Sequence, residues 1–182
     1  MQYRSRPSAK GFTFIETMIA LVVLIAGLLS LAVMLADALA YMQGSQSDFI
    51  AQQKAEEAVE AIFTAKYSNS VTWAQINNQA VATPLGLFLA APQPLLQPGP
   101  DGLLGSINDV GAPPDYILEP GPDGKLGTAD DVKVPLSNFT RTITITNFVG
   151  DTNLRNIQVT VTYTTTRWTR TYTVNSLISA FN

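Results

Sequence analysis

The chain has 182 residues and a formal net charge of −3, and it contains neither Cys nor His. That composition excludes disulfides, thiol nucleophiles, His-based triads and the usual zinc ligands. Acidic residues outnumber basic ones and the basic ones are scattered, so the chain carries no nucleic-acid footprint and no nucleic-acid partner is expected.

The first eleven residues are a basic leader ending at Gly11, with Arg4, Arg6 and Lys10. Removing those three from the 11 basic residues leaves 8 against 14 acidic ones, a net charge of −6. From Phe12 to Ala36 run 25 residues with a single ionisable group, Glu16. A helix of that length spans roughly 37 Å, enough to cross a hydrocarbon core of ~30 Å. With the positive charges before it and Asp37 after it, the leader is expected in the cytoplasm and the remainder outside. A cleaved secretory signal is a poorer match. Its apolar core runs only about 7–15 residues, and Ala36, Ala38 and Ala40 here simply continue the helical pattern.

The run Gly11-Phe12-Thr13-Phe14-Ile15-Glu16 resembles the signal of type IV prepilins and type II secretion pseudopilins. The continuation, Ala20-Leu21 and Ile25-Ala26-Gly27-Leu28-Leu29, is most similar to PilV-like minor pilins. Many major pilins have a proline where this chain has Val33. The resemblance implies that a prepilin peptidase cuts between Gly11 and Phe12 and methylates the new amine of Phe12. It also implies that Glu16 is the assembly carboxylate, neutralised by the N-terminal ammonium of a neighbouring subunit. A lone carboxylate in hydrocarbon costs on the order of 2.5–3.5 kcal/mol at the bilayer centre, so it needs such a partner. The implied partners are the peptidase, other pilin or pseudopilin subunits and an inner-membrane assembly platform. The implied location is the inner membrane, single-pass, with a periplasmic C-terminal domain, and then a pilus or pseudopilus. The plain alternative is a bitopic anchor in which Glu16 snorkels to the headgroups.

Helical patterning continues from Asp37 to about Tyr67 without a proline. Ala51, Ala55, Ala58, Val59 and Ile62 form an apolar stripe, with Glu56, Glu57 and Glu60 beside it. The first half is thus apolar all round, and the second half is amphipathic and should pack on a soluble domain. Gly44 lies where the halves meet and is a candidate bend.

Residues 68–135 read as a loop-rich insert. Thr72 to Asn78 is expected as one short helix with Trp73 and Ile76 inward, and the prolines from Pro84 to Pro114 then forbid long helix. The insert holds a repeat. Pro98-Gly99-Pro100-Asp101-Gly102-Leu103-Leu104-Gly105 recurs as Pro120-Gly121-Pro122-Asp123-Gly124-Lys125-Leu126-Gly127. Each copy closes on a polar pair, Asn108-Asp109 or Asp130-Asp131. Asp-Gly after Pro is turn chemistry. The returning carboxylates suggest oxygens around a calcium ion, with Asp101, Asn108 and Asp109 for one site and Asp123, Asp130 and Asp131 for the favoured second. Polar turns with solvated acids are the other reading, and no further cofactor is expected.

From residue 136 the period becomes two. Thr140–Thr146, Ile157–Tyr163 and Arg167–Val174 alternate and are rich in β-branched residues, with a turn at Gly150–Asn153. Ile143, Ile145, Val159, Val161, Tyr163, Trp168 and Tyr172 are the expected buried face, against Val59, Ile62 and Phe63, with the Thr, Arg and Asn positions facing water. The expected fold is α+β and pilin-like. Its segments are leader 1–11, membrane or filament-core helix 12–36, amphipathic helix 37–67, insert 68–135 and sheet 136–182. A three- to four-stranded antiparallel sheet carries the long helix. A structural subunit is expected, not an enzyme: the acids sit in Gly/Pro turns rather than facing each other as glycoside chemistry requires. A calcium-stabilised adhesive module is the alternative function.

Overall fold

A computed structural model describes residues 11–80, 82–165 and 167–181; the leader expected at residues 1–10 lies outside them. Helix α1 runs unbroken from Phe14 to Tyr67, through both Val33 and Gly44. No proline interrupts it, and it ends in a Schellman arrangement. Asn69 takes the left-handed conformation (φ 57°). The Asn69 N–H then donates to the Lys66 carbonyl at 3.0 Å, and the Ser70 N–H to the Ala65 carbonyl at 2.9 Å.

The chain divides into two compact units after Gly44. The first consists of the apolar part of α1. Every residue from 11 to 36 is exposed, and the helix has the length and composition to cross a membrane. An exposed, all-round apolar helix calls for lipid or other helices as its solvent.

The second unit packs the rest of α1 on a sheet. Ala51, Ala55, Ala58 and Ile62 are fully buried, and Val59 and Phe63 lie partly buried against the same core. The alanines leave room for the larger sheet residues opposite. The sheet has the order β1-β4-β5-β6, with β1 Gln93–Pro94, β4 Phe139–Phe148, β5 Asp151–Thr164 and β6 Thr169–Ser179. β4, β5 and β6 form the expected antiparallel meander, and β1 from the insert adds the fourth strand. The hairpin between β4 and β5 is tighter than the predicted turn, because Gly150 (φ 92°) lets the chain reverse at Val149-Gly150 and β5 starts at Asp151. β6 likewise runs on to Ser179. Ile143, Ile145, Val159, Val161 and Tyr163 are buried as expected, whereas Trp168 and Tyr172, just before and within the edge strand, are only partly so.

The expectation that the arginines face water fails for Arg141 and Arg155. Both are buried, in phase with the isoleucines and valines of their strands. Arg155 stacks on the Trp73 ring at 4.1 Å and donates to the carbonyls of Trp73 and Ile76, so it holds the start of the insert onto β5. The helix expected at Thr72–Asn78 does not form. A turn at Thr72–Gln75 replaces it, closed by Gln75 N–H to Thr72 O at 3.0 Å, with the Gln75 side chain returning to the Thr72 N–H at 2.8 Å. Asn78 then leaves the helical path and docks on β4. Its amide donates to the Ile143 carbonyl at 2.7 Å and its oxygen accepts from the Ile145 N–H at 2.7 Å, as a strand residue would. Trp73 and Ile76 do face inward.

The insert also contains a 3₁₀ turn, η1, at Ile107–Asp109, and a separate two-stranded hairpin of β2 Tyr116–Glu119 with β3 Val132–Pro135. The whole is α+β, with a long N-terminal helix, apolar in its first part, packed by its second on a four-stranded antiparallel sheet. That is a pilin-like architecture.

Candidate functional site

The helix start brings Gly11, Phe12, Thr13 and Glu16 together. Gly11 and Phe12 precede the helix, in non-helical backbone, and Phe12 is 84% exposed. The peptide bond between them is therefore exposed and lies outside the helix. Thr13 caps the helix. The Glu16 N–H donates to Thr13 Oγ1 at 3.4 Å, and Glu16 Oε2 accepts from the Thr13 N–H at 3.3 Å and from its hydroxyl at 3.4 Å. This reciprocal pairing is a capping box. The Thr-x-x-Glu spacing that signals it is plain in the sequence, yet Thr13 was not among the expected site residues. Glu16 thus has a partner within its own chain. It is exposed, as are Phe14, Ile15, Met18 and Ile19 around it.

The two copies of the insert repeat fold alike. Gly102 and Gly124 both have φ 70°, and Gly105 and Gly127 have φ 82° and 86°. Leu103 N–H donates to Asp101 at 3.1 Å and Lys125 N–H to Asp123 at 2.8 Å. Gly105 N–H reaches Asp109 at 2.5 Å, and Gly127 N–H reaches Asp131 at 2.7 Å. At Gly99 and Gly121 a Cβ would lie 2.5 Å from the Asn108 carbonyl oxygen and 2.2 Å from that of Asp130, so only glycine fits. The repeated glycines and aspartates are therefore accounted for by one loop geometry used twice.

Their surroundings differ. The first copy is part of the core, with Leu103, Leu104, Ser106 and Asp109 buried. Asp109 accepts three backbone N–H groups, from Gly99 (2.8 Å), Gly105 and Ser106 (3.2 Å). Burial nonetheless pushes its pKa up, against the pull of those bonds. Nearby, Asp115 pairs with Lys54 at 2.8 Å. Burial opposes the charge on Lys54, but Asp115 and Glu57 outweigh it and its pKa is raised. Arg141 is deeply buried, its pKa lowered by desolvation and supported by the fields of Asp109 and Asp115, while its Nε and Nη1 have no hydrogen-bond partner among the described residues. Asn108 turns its amide to Asp101 at 2.9 Å. Asp101, Asn108 and Asp109 therefore lie in one loop, but the two carboxylates are taken up by the Asn108 amide, the Ser106 hydroxyl and backbone N–H groups.

The second copy is the tip of the β2–β3 hairpin and is largely exposed, with Leu126 62% exposed where Leu104 is buried. Asp123, Asp130 and Asp131 converge on the Thr128 hydroxyl, at 3.5, 2.7 and 3.4 Å. Hydrogen bonds from Thr128 and the Asp123 N–H hold the Asp130 pKa down. Among the described residues no group of three or more acidic, His or Cys side chains is disposed to hold a metal ion.

Comparison of the chain with protein-family models, with curated proteins and with solved structures finds no match.

Proposed function

We propose that this chain is a structural subunit, a minor pilin or pseudopilin, cut after Gly11, held in the inner membrane by α1 and built through that helix into a type IV pilus or a type II secretion pseudopilus. The observation that carries this reading is the helix start. An accessible Gly11-Phe12 bond lies directly ahead of a capped, fully exposed apolar helix, with one carboxylate on its first turn. A bitopic anchor accounts for the apolar length but not for glycine, phenylalanine and glutamate at this spacing. The apolar surface serves first in lipid and then among the helices of a filament core. There Glu16 exchanges Thr13 for the ammonium of a neighbour's Phe12, in a medium that screens the attraction weakly. Gly11→Asp tests the processing step. The variant should keep its full mass and stay out of filaments; shortening at the normal site would refute the reading.

A second reading is a calcium-stabilised adhesive loop displayed by the filament, in which the carboxylates of the second repeat, not disposed around a metal ion as they stand, turn from Thr128 to take one. Three carboxylates of the second repeat converge on the Thr128 hydroxyl at an exposed hairpin tip. Calorimetric titration of the chain with calcium tests it, and the absence of heat at the tip would remove it.

A further inference from the structure

The two edges of the sheet are not alike. At one, β1 is two residues long and ends in Pro94, which has no N–H to offer. At the other, β6 is 11 residues long, and among the described residues no strand pairs with its outer side. The bonds from Ala180 N–H to Asn153 O and from Thr165 N–H to Trp168 O fix the phase of the β5–β6 ladder. The even residues of β6 bond to β5, so Thr169, Thr171, Thr173, Asn175, Leu177 and Ser179 turn their backbone N–H and C=O groups outward. Natural edges are blunted by lysine, proline or a bulge. β6 has none of these, and its one charge, Arg170, is paired with Asp48 at 2.5 Å.

We propose that this edge pairs with the β6 edge of a second copy of the chain, antiparallel and centred on Val174. The row is self-complementary in that register. Thr169 meets Ser179, Thr171 meets Leu177 and Thr173 meets Asn175 as hydrogen-bonded pairs, giving roughly twelve bonds over the strand. Val174 meets Val174 across the axis, Tyr172 meets Ser176, and Arg170 meets Ile178, so no like charges face each other. The outer face stays uniform, because Thr160 and Thr162 of β5 already pair with Thr173 and Thr171 through their hydroxyls, at 3.2 and 3.1 Å. The product is one eight-stranded sheet whose two remaining edges are both the short, proline-ended β1. The pairing is isologous and closes on itself, so it belongs to a pool of free subunits and not to a polar filament. It does not rest on the filament reading.

The absence of cysteine makes the test direct. In a non-hydrogen-bonded antiparallel pair the Cα atoms are about 4.5 Å apart, within disulfide reach. Full-length Val174→Cys in detergent should therefore oxidise to a covalent dimer. Val149→Cys, 94% exposed at the hairpin tip, should do so at least tenfold less. Adding Thr173→Pro removes one outward N–H and leaves the β5 ladder intact. It should abolish cross-linking of Val174→Cys, and as a single change it should turn the sedimenting dimer into a monomer that still unfolds cooperatively, at a melting temperature lowered by loss of the partner and of the Thr160–Thr173 hydroxyl pair. Equal cross-linking at Val149→Cys and Val174→Cys, or a dimer that survives Thr173→Pro, would overturn the proposal and put any association in α1 instead.

Discussion

Glu16 has two physical roles that a pair of substitutions separates. Glu16→Ala removes both the charge and the return half of the capping box, leaving the Thr13 hydroxyl on the residue-16 N–H, whereas Glu16→Gln removes only the charge, because glutamine also serves in a capping box. The contacts of the box, 3.3 to 3.4 Å, are long for hydrogen bonds, so the cap belongs at the weak end of the usual range, about 0.5 kcal/mol. A charge-assisted bond to a neighbour's ammonium is worth more, about 1.5–3 kcal/mol, and its loss lowers the association constant per subunit roughly ten- to a hundredfold. The assay is the ratio of this chain in sheared filaments to that left in membranes, with intact mass confirming that Gly11 is still cut. Both variants should be processed, and both should fall at least tenfold in the filament fraction. If Glu16→Gln is incorporated normally and Glu16→Ala is not, Glu16 is a helix cap and its assigned role in docking is wrong.

Asp109→Ala strands three backbone N–H groups in the core and should cost about 1–3 kcal/mol in thermal or denaturant unfolding. The matching Asp131→Ala, at the exposed tip, should cost no more than about 0.5 kcal/mol. Because burial raises the folded pKa of Asp109 above the ordinary 3.8, its proton-linked stability is present below 3.8 and lost as pH rises through the folded value. The stability gap between the natural chain and Asp109→Ala should therefore narrow as pH is raised through that window. Ile62→Ala, from full burial against the sheet, should cost about 2–5 kcal/mol in the same unfolding measurement. If the second repeat takes calcium, the heat of titration should vanish in Asp130→Asn and persist in Asn108→Ala.

Much of this fold was legible because its periodicities are long. The apolar run, the alanine stripe and the threonine-rich alternation each extend over several turns or strand residues, and each element forms over most of the residues its period marks, with β5 starting earlier and β6 ending later. Arg141 and Arg155 were misread although their parity with the isoleucines and valines puts them inside. Residue type and phase point opposite ways at these positions, and the buried carboxylates that balance Arg141, Asp109 and Asp115, come from a distant loop. The Thr72–Asn78 helix failed because Asn78 gains two bonds on β4, a tertiary contact that no local pattern announces. Similarly, the two repeats share one sequence and one geometry, yet only packing decides that the first is core and the second a tip. At the helix start the Thr-x-x-Glu spacing marks the capping box in the sequence itself, and the local partner of Glu16 follows from it.

The most direct measurement is the N-terminal residue of the chain purified from membranes, by intact mass and fragment sequencing. The expected species begins at Phe12 and carries one methyl group on its amine. A chain that retains Met1 through Gly11, or that begins beyond Ala36, would contradict its assignment as a filament subunit.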